Sequence, residues 1–427
     1  MSRSSWLQQQ TQRITWPDTA NGPVVGHALR LFWWNGLLDN LSEAFAASYL
    51  PLFALSYGAT SSQIGFLSSA GNLLAVAGLW PGSRLAERWP RRKPLVMLSG
   101  SAARLMLLVL ALLPFLFHAP HIVWIIIACA ALRVFFNNFG LPAWTAFTAR
   151  LVPEATRGRY FGSRNFGMRL ATLFGYPLAG WLIGWAGAPQ GYQLSLGLAG
   201  SIGLLSTVLF FGHIPEPPLT ADEQRASGEP WALLPALRAQ PLFSAFCLAA
   251  LAWNLSVQLA GPFFNVFLVS ELGGTTATVG WLLALFSLSS MVGQRLFGRL
   301  SDRRGSLWAM QLTGLLIPLF PWVWAMAHTP WHIVPLYAVS GLIWARYEIG
   351  SFNTLLSLTP EAHRPRFVAF YQTLVFVAGF VSPLLGGFLV EALGFRLVFV
   401  LSGVGRLLST LLLIRLVRPP AAQHAAA

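Results

Sequence analysis

Long apolar stretches alternate with short polar ones along almost the whole chain. From residue 28 onward, about twelve windows stay apolar on every face for roughly 20 residues, the length a helix needs to cross a hydrocarbon core. They predict helices over 28–52, 62–83, 94–117, 122–148, 160–185, 191–213, 241–268, 276–298, 306–327, 332–357, 366–390 and 395–417. Strands of an outer-membrane barrel would alternate apolar and polar residues over about ten positions, so that architecture is excluded. The expected fold class is an all-α membrane protein with twelve transmembrane helices.

Composition agrees with the pattern. Of 427 residues, 55% are hydrophobic and 10% charged, and the mean hydropathy is +0.59; an average soluble domain carries roughly a quarter charged residues. The first 26 residues are polar and hold no apolar core, so no signal peptide is expected. The formal charge of +14 is spread in a way that argues for lipid and against nucleic acid as the partner. Arg84, Arg88, Arg91, Arg92 and Lys93 gather at one set of helix ends, with Arg150, Arg157, Arg159, Arg225, Arg238, Arg364 and Arg366. The opposite loops 56–61, 118–121 and 187–191 carry no Lys or Arg, and Arg396 is the one basic residue near that side. The positive-inside rule then places both termini in the cytoplasm, with the protein in a plasma (inner) membrane of bacterial type. Cys129 and Cys247 both fall inside predicted helices and read as packing residues, so no disulfide, metal site or cofactor is expected.

The chain repeats itself. YGATSSQIGFL at 57–67 and LGGTTATVGWL at 272–282 share Gly58/Gly273, Thr60/Thr275, Gly65/Gly280 and Leu67/Leu282 at an offset of 215. LVPEATRGR at 151–159 matches LTPEAHRPR at 358–366 in six of nine positions at an offset of 207. The order of elements is the same in both halves, as in transporters built from parallel repeats. The organisation expected is a tail at 1–26, a six-helix bundle at 27–213, a polar linker at 214–240, a second bundle at 241–418 and a tail at 419–427.

Between two apolar runs, GRLSDRRG at 298–305 concentrates four charges, and SRLAERWPRRK at 83–93 stands at the equivalent place in the first half. With twelve helices as six plus six, this doubled motif resembles the major facilitator superfamily, whose signature in that turn is G-x-L-[AS]-D-R-x-G-[RK]-[RK]. The first copy departs from it at Ser83, Glu87 and Pro90, and the second at Ser306 and Leu307. The resemblance implies a conformational latch formed by Glu87, Arg88, Gly298, Asp302, Arg303 and Gly305. A tight turn over 298–305 is expected, with glycine for the backbone and arginine for orientation.

A P-loop needs a lysine after its second glycine, and the one lysine of this chain, Lys93, lies between Arg92 and Pro94, so ATP is not bound that way. Nor do the eight histidines show ligand or acid–base spacing, and the chain does not read as an enzyme. Charges at membrane depth are then the informative residues, because one at a helix centre costs ~2.5–3.5 kcal/mol even on the lenient insertion scale. The cavity helices implied by the resemblance carry Asp39, Glu43, Arg133, Arg346 and Glu348. Asn35, Asp39 and Glu43 share one helix face. Asp39 and Arg133 each fall about 16 Å from their helix ends, which predicts a proton-sensitive pair. At the 215 offset Asp39 becomes Asn254 and Glu43 becomes Gln258. Asp39 and Glu43 are therefore the proton-coupling candidates, with Asn35, Arg133, Asn137, Asn254, Gln258, Arg346, Glu348 and Asn353 as further cavity candidates. Arg346 and Glu348 are two apart, so at most one is expected to face the cavity. Arg104, Arg169 and Arg406 lie off the cavity helices and are expected in structural pairs; Trp253, Trp344, Tyr347 and Tyr371 are candidates to stack on a solute.

The expected function is proton-coupled secondary transport of a small organic solute by a monomer working through alternating access. Acids in the first helix favour export of cationic amphiphiles, whereas Arg133 and Arg346 suit an organic anion. A non-transporting membrane sensor is the remaining alternative.

Overall fold

The computed structural model describes residues 23–89, 91–116, 121–153, 156–216, 237–304, 306–360 and 364–417. Among these residues there are helices and no strands. The first half comprises α1 (Pro23–Ala46), α2 (Leu50–Ser56), α3 (Ser61–Arg88), α4 (Lys93–Leu116), α5 (Ile122–Leu151), α6 (Arg157–Ala186) and α7 (Gln190–Leu205), the last continued by a π turn at Ser206–Phe210. The second comprises α8 (Pro241–Ala260), α9 (Phe264–Ser270), α10 (Thr276–Arg304), α11 (Ser306–Leu316), α12 (Leu319–Met326), α13 (Val334–Ser357), α14 (Arg364–Leu393) and α15 (Phe395–Leu416). Among the described residues nine helical stretches are long and apolar enough to cross a membrane. The three other expected spans are also helical, as α1 with α2, α6 and α13. They hold Asp39 and Glu43, Arg164 and Arg169, and Arg346 and Glu348, charges that lower their apolarity.

The chain forms two compact units. One takes in α1, α2, α3 from Leu74 onward, α4 to α7 and residues 279–284; the other takes in 58–73, α8, α9 and α10 from 285 to the end of α15. In the first unit α1 packs on α6 and α7, and α4 on α5 and α7. Phe32, Phe147, Tyr160 and Phe211 form its buried apolar cluster near the Pro23 end of α1. In the second, α8 packs on α14 and α15, and α11 on α13, around Phe243, Phe246, Trp253, Tyr347 and Phe367.

The internal repeat reappears in the backbone. Every residue with positive φ among those described is a glycine, and the four make two pairs at the offsets found in the sequence: Gly58 with Gly273 (φ 80° and 69°), and Gly187 with Gly394 (φ 75° and 81°). A Cβ at any of the four would meet nothing within 4 Å, so backbone conformation alone requires glycine. Thr60 and Thr275 then start α3 and α10 alike. Gln63 N–H donates to Thr60 Oγ1 at 3.3 Å, and Thr278 N–H to Thr275 Oγ1 at 3.2 Å, satisfying a donor that a helix start leaves open.

One expectation needs correction. Residues 298–304 are not a turn: α10 runs on to Arg304 and α11 begins at Ser306. Gly298, Asp302 and Arg303 therefore lie on a helix. The side chains of Asp302 and Arg303, and Gly305 itself, lie outside the described residues. In the first half α3 likewise extends to Arg88, leaving Glu87 and Arg88 exposed. The expected tails and linker lie mostly outside the described residues as well, at 1–22, 217–236 and 418–427. Where the linker begins, Glu216 Oε1 accepts the backbone N–H groups of Arg92 and of Lys93, the latter at 3.0 Å. A carboxylate there suits the positive end of α4.

Candidate functional site

Two acids of α1, Asp39 and Glu43, meet buried arginines of α4 and α5. Glu43 accepts from two guanidiniums: Arg104 Nη1 on α4 at 2.6 Å and Arg133 Nη1 on α5 at 2.8 and 3.1 Å. Asp39, one turn earlier, meets Arg104 Nη2 at 3.4 Å, beyond the usual 2.7–2.9 Å of a charge-assisted bond. The arginine side chains are buried, at 9% and 7% exposure, while those of Asp39 and Glu43 keep 31% and 33%. The carboxylates are thus the reachable members of the cluster.

Small residues make room for this arrangement. A Cβ on Gly203 of α7 would lie 2.7 Å from Arg104 Nε, so glycine there lets the arginine pass. A Cβ on Gly36 of α1 would lie 2.6 Å from the Arg164 guanidinium carbon. Arg164 is buried, donates to the Phe32 carbonyl at 3.2 Å and lies over the Phe32 ring at 4.3 Å, a cation–π contact. At the Pro23 side of Asp39, Asn35 donates to Ser206 Oγ at 2.8 Å, and Ser206 returns a bond to the Asn35 carbonyl at 3.1 Å. Ser206 begins the π turn at Ser206–Phe210, and Thr207 after it lies beside Gly100 of α4.

Two sequence expectations are revised. Arg133 pairs with Glu43 and not with Asp39, and Arg104, expected in a structural pair away from the cavity helices, bridges both acids of α1. Side-chain direction around each helix, which depth along the axis does not record, decides the partner. Arg164 was missed. Seven residues from the start of α6, it reads in sequence as one more member of the basic cluster at that helix end, and its glycine partner Gly36 is 128 positions away.

The counterpart residues of the second unit are arranged differently. Asn254 donates to Ala250 of its own helix at 2.8 Å, so its amide does not link helices, and Gln258 is half-buried. Arg346 is buried while Glu348 and Asn353 are exposed on α13, in keeping with the opposed directions expected of positions 346 and 348. The aromatic candidates stack on one another: Trp253 on Tyr347 at 4.4 Å between centroids, with Trp344 6.3 Å from Trp253. Phe246 stacks on Tyr371 at 5.7 Å. Arg406 is 2% exposed at the middle of α15; its Nε has no hydrogen-bond partner, and no carboxylate of the described residues pairs with it.

Comparison with known proteins adds a family to this geometry. A family model described as Major Facilitator Superfamily matches residues 32–259 and 254–427. The multi-drug resistance efflux pump PmrA of Streptococcus pneumoniae is 26% identical over 401 residues, covering 90% of this chain and 92% of the relative. A chloramphenicol resistance protein of Streptomyces lividans is 26% identical over 344 residues, covering 79% and 82%. Among solved structures, the nucleoside transporter NupG superposes with a TM-score of 0.71 at 15% identity, covering 91% of this chain and all of that one. A bacterial homolog of the human lysosomal transporter Spinster, inward-facing and unoccupied, gives 0.69 at 15% identity over 93% and 99%.

Proposed function

Because this chain belongs to the Major Facilitator Superfamily, a family of multi-pass membrane transporters and not of enzymes, we propose that it is a secondary active transporter coupling a small organic solute to protons by alternating access. In this reading it spans a bacterial plasma membrane twelve times as a monomer of two six-helix bundles, with both termini in the cytoplasm and the Glu87–Arg88 and Asp302–Arg303 segments as its latch.

The observation that carries the coupling is the unequal hold on two neighbouring carboxylates. Glu43 sits on two guanidiniums at 2.6–3.1 Å; neutralising it would strand buried positive charge, which is costly. Asp39 has one contact at 3.4 Å, so it accepts a proton with less lost. Once it does, Arg104 belongs wholly to Glu43, and the face of α1 changes charge without losing its anchor. Asn254 and Gln258, amides in place of the two acids, cannot titrate, so these positions of the second unit keep one charge state.

Export of lipophilic cations is the favoured direction and cargo. A cation competes with the proton for the same accessible carboxylate, and two relatives at 26% identity are named for multidrug efflux and chloramphenicol resistance. Transport of an organic anion is the second reading, favoured by three buried guanidiniums, Arg104, Arg133 and Arg164, against two carboxylates. Proteoliposomes carrying an imposed pH gradient test both. The wild type should accumulate a fluorescent lipophilic cation against its gradient, and Asp39→Asn should allow downhill exchange with gradient-driven accumulation reduced at least tenfold. Unaltered accumulation in Asp39→Asn would remove Asp39 from coupling; accumulation of an aromatic carboxylate in place of the cation would select the second reading.

A further inference from the structure

A cavity of about 130 Å³ lies wholly within the first unit, walled by α1, α4, α5 and the turn after α7. Asp39 and Arg104 stand at one end of it and Val96, Trp144 and Phe211 at the other. Along α4 the distance from Val96 to Arg104 is about 12 Å at 1.5 Å per residue. Its far end lies toward the helix ends at Lys93 and Leu151, the ends where the basic residues gather. An organic ligand site usually needs roughly 300–1,000 Å³. The space has room for several waters.

Its chemistry also suits water. Asn35, Ser99, Asn137 and Thr207 line it with Asp39 and Arg104. The Ser99 and Thr207 hydroxyls donate to Leu95 and Gly203 carbonyls, which leaves their lone pairs free to accept from a water. The charged groups about Asp39 are Glu43 on its own helix, Arg104 on α4, Arg133 on α5 and Arg164 on α6, while the turn after α7 offers the Ser206 hydroxyl. None of the arginines can relay a proton, because a guanidinium does not give one up in a protein. Water in the chamber is the remaining carrier on that side of Asp39.

We propose that this chamber holds a short file of water that delivers protons to Asp39 from the Lys93–Leu151 end of the first unit. The proposal rests on proton coupling at Asp39 for its role, whereas hydration of the chamber is measurable by itself. Gly100 gives access to both. It lines the chamber, and a Cβ there would meet only Thr207, at 3.6 and 3.7 Å, which is ordinary contact.

Hydration is read by placing Gly100→Cys in a Cys129→Ser, Cys247→Ala background and following its reaction with a small methanethiosulfonate. We expect a rate at least tenfold above that of Ala103→Cys on the same helix, a site with no exposed surface; equal rates would mean a dry chamber and overturn the proposal. The route is read with Gly100→Leu, which fills the space. Gradient-driven accumulation should fall at least tenfold while the solute's dissociation constant changes less than twofold, with Gly100→Ala intermediate. If Asp39→Asn is uncoupled and Gly100→Leu is not, the water route is wrong and the coupling site stands. If neither is affected, coupling at Asp39 fails and takes the route with it, even where labelling shows a wet chamber.

Discussion

Glu43 and Asp39 are one helical turn apart and differ mainly in how many positive nitrogens reach them. That difference predicts opposite consequences for the same chemical change. Glu43→Gln leaves Arg133 buried with no ionic partner and should cost about 3 kcal/mol, the low end for a broken buried pair because a third of the Glu43 side chain is exposed to screening. Asp39→Asn should alter thermal stability by less than about 1 kcal/mol. Unfolding curves of the two purified variants in one detergent check the ordering; equal losses would place both acids in a static network. Arg406 presents the converse case. Buried, and with no carboxylate beside it among the described residues, the guanidinium carries a desolvation cost that no described opposite charge offsets. Arg406→Met, similar in length and apolar, is expected to stabilise by about 1–3 kcal/mol. A lower melting temperature in that variant would show that the guanidinium holds an anion.

At the scale of elements, the junctions matter more than the helices they join. Gly187 after α6 and Gly394 after α14 have φ of 75° and 81° with ψ of 164° and 163°, a region open to essentially no residue but glycine. Each also closes its helix in the same way, donating to Ile183 O at 3.0 Å and to Val390 O at 2.8 Å. Alanine at either position is expected to cost about 1–3 kcal/mol by backbone strain alone, since its methyl would touch nothing. The loss should be similar at both sites and should leave the solute's dissociation constant unchanged, as measured by thermal unfolding and ligand binding on each variant. The close crossings are of another kind. Gly203 beside Arg104 and Gly386 beside the Leu259 carbonyl are helical glycines whose role is lack of bulk, which is how small residues bring membrane helices together.

For the whole molecule, much of the plan is legible in the sequence. Apolar windows gave the helices, and the two offsets in the repeat, 215 and 207, return as matched glycine geometry. What the apolar pattern conveyed poorly was where helices stop: α3 and α10 continue through their charged segments because the arginines and leucines there are good helix formers. The site was half legible. Spacing alone put Asn35, Asp39 and Glu43 on one face, yet the choice between Arg104 and Arg133 as partner depends on rotation about each helix axis, which an evenly apolar helix does not record. Arg164 shows the same limit, since only the packed bundle reveals that Gly36 was left small to admit it.

In the proposed cycle the grip of two guanidiniums on Glu43 leaves Asp39 as the one titrating carboxylate on α1, and that count sets how membrane voltage enters. One proton exchanged for one monovalent cation moves no net charge, so the voltage does no work and the pH difference alone drives export. A neutral cargo exchanged for the same proton carries one elementary charge across, and each 100 mV then adds about 2.3 kcal/mol. With a single switching acid on α1, the protein would concentrate uncharged compounds more steeply than singly charged ones whenever the cell is well polarised.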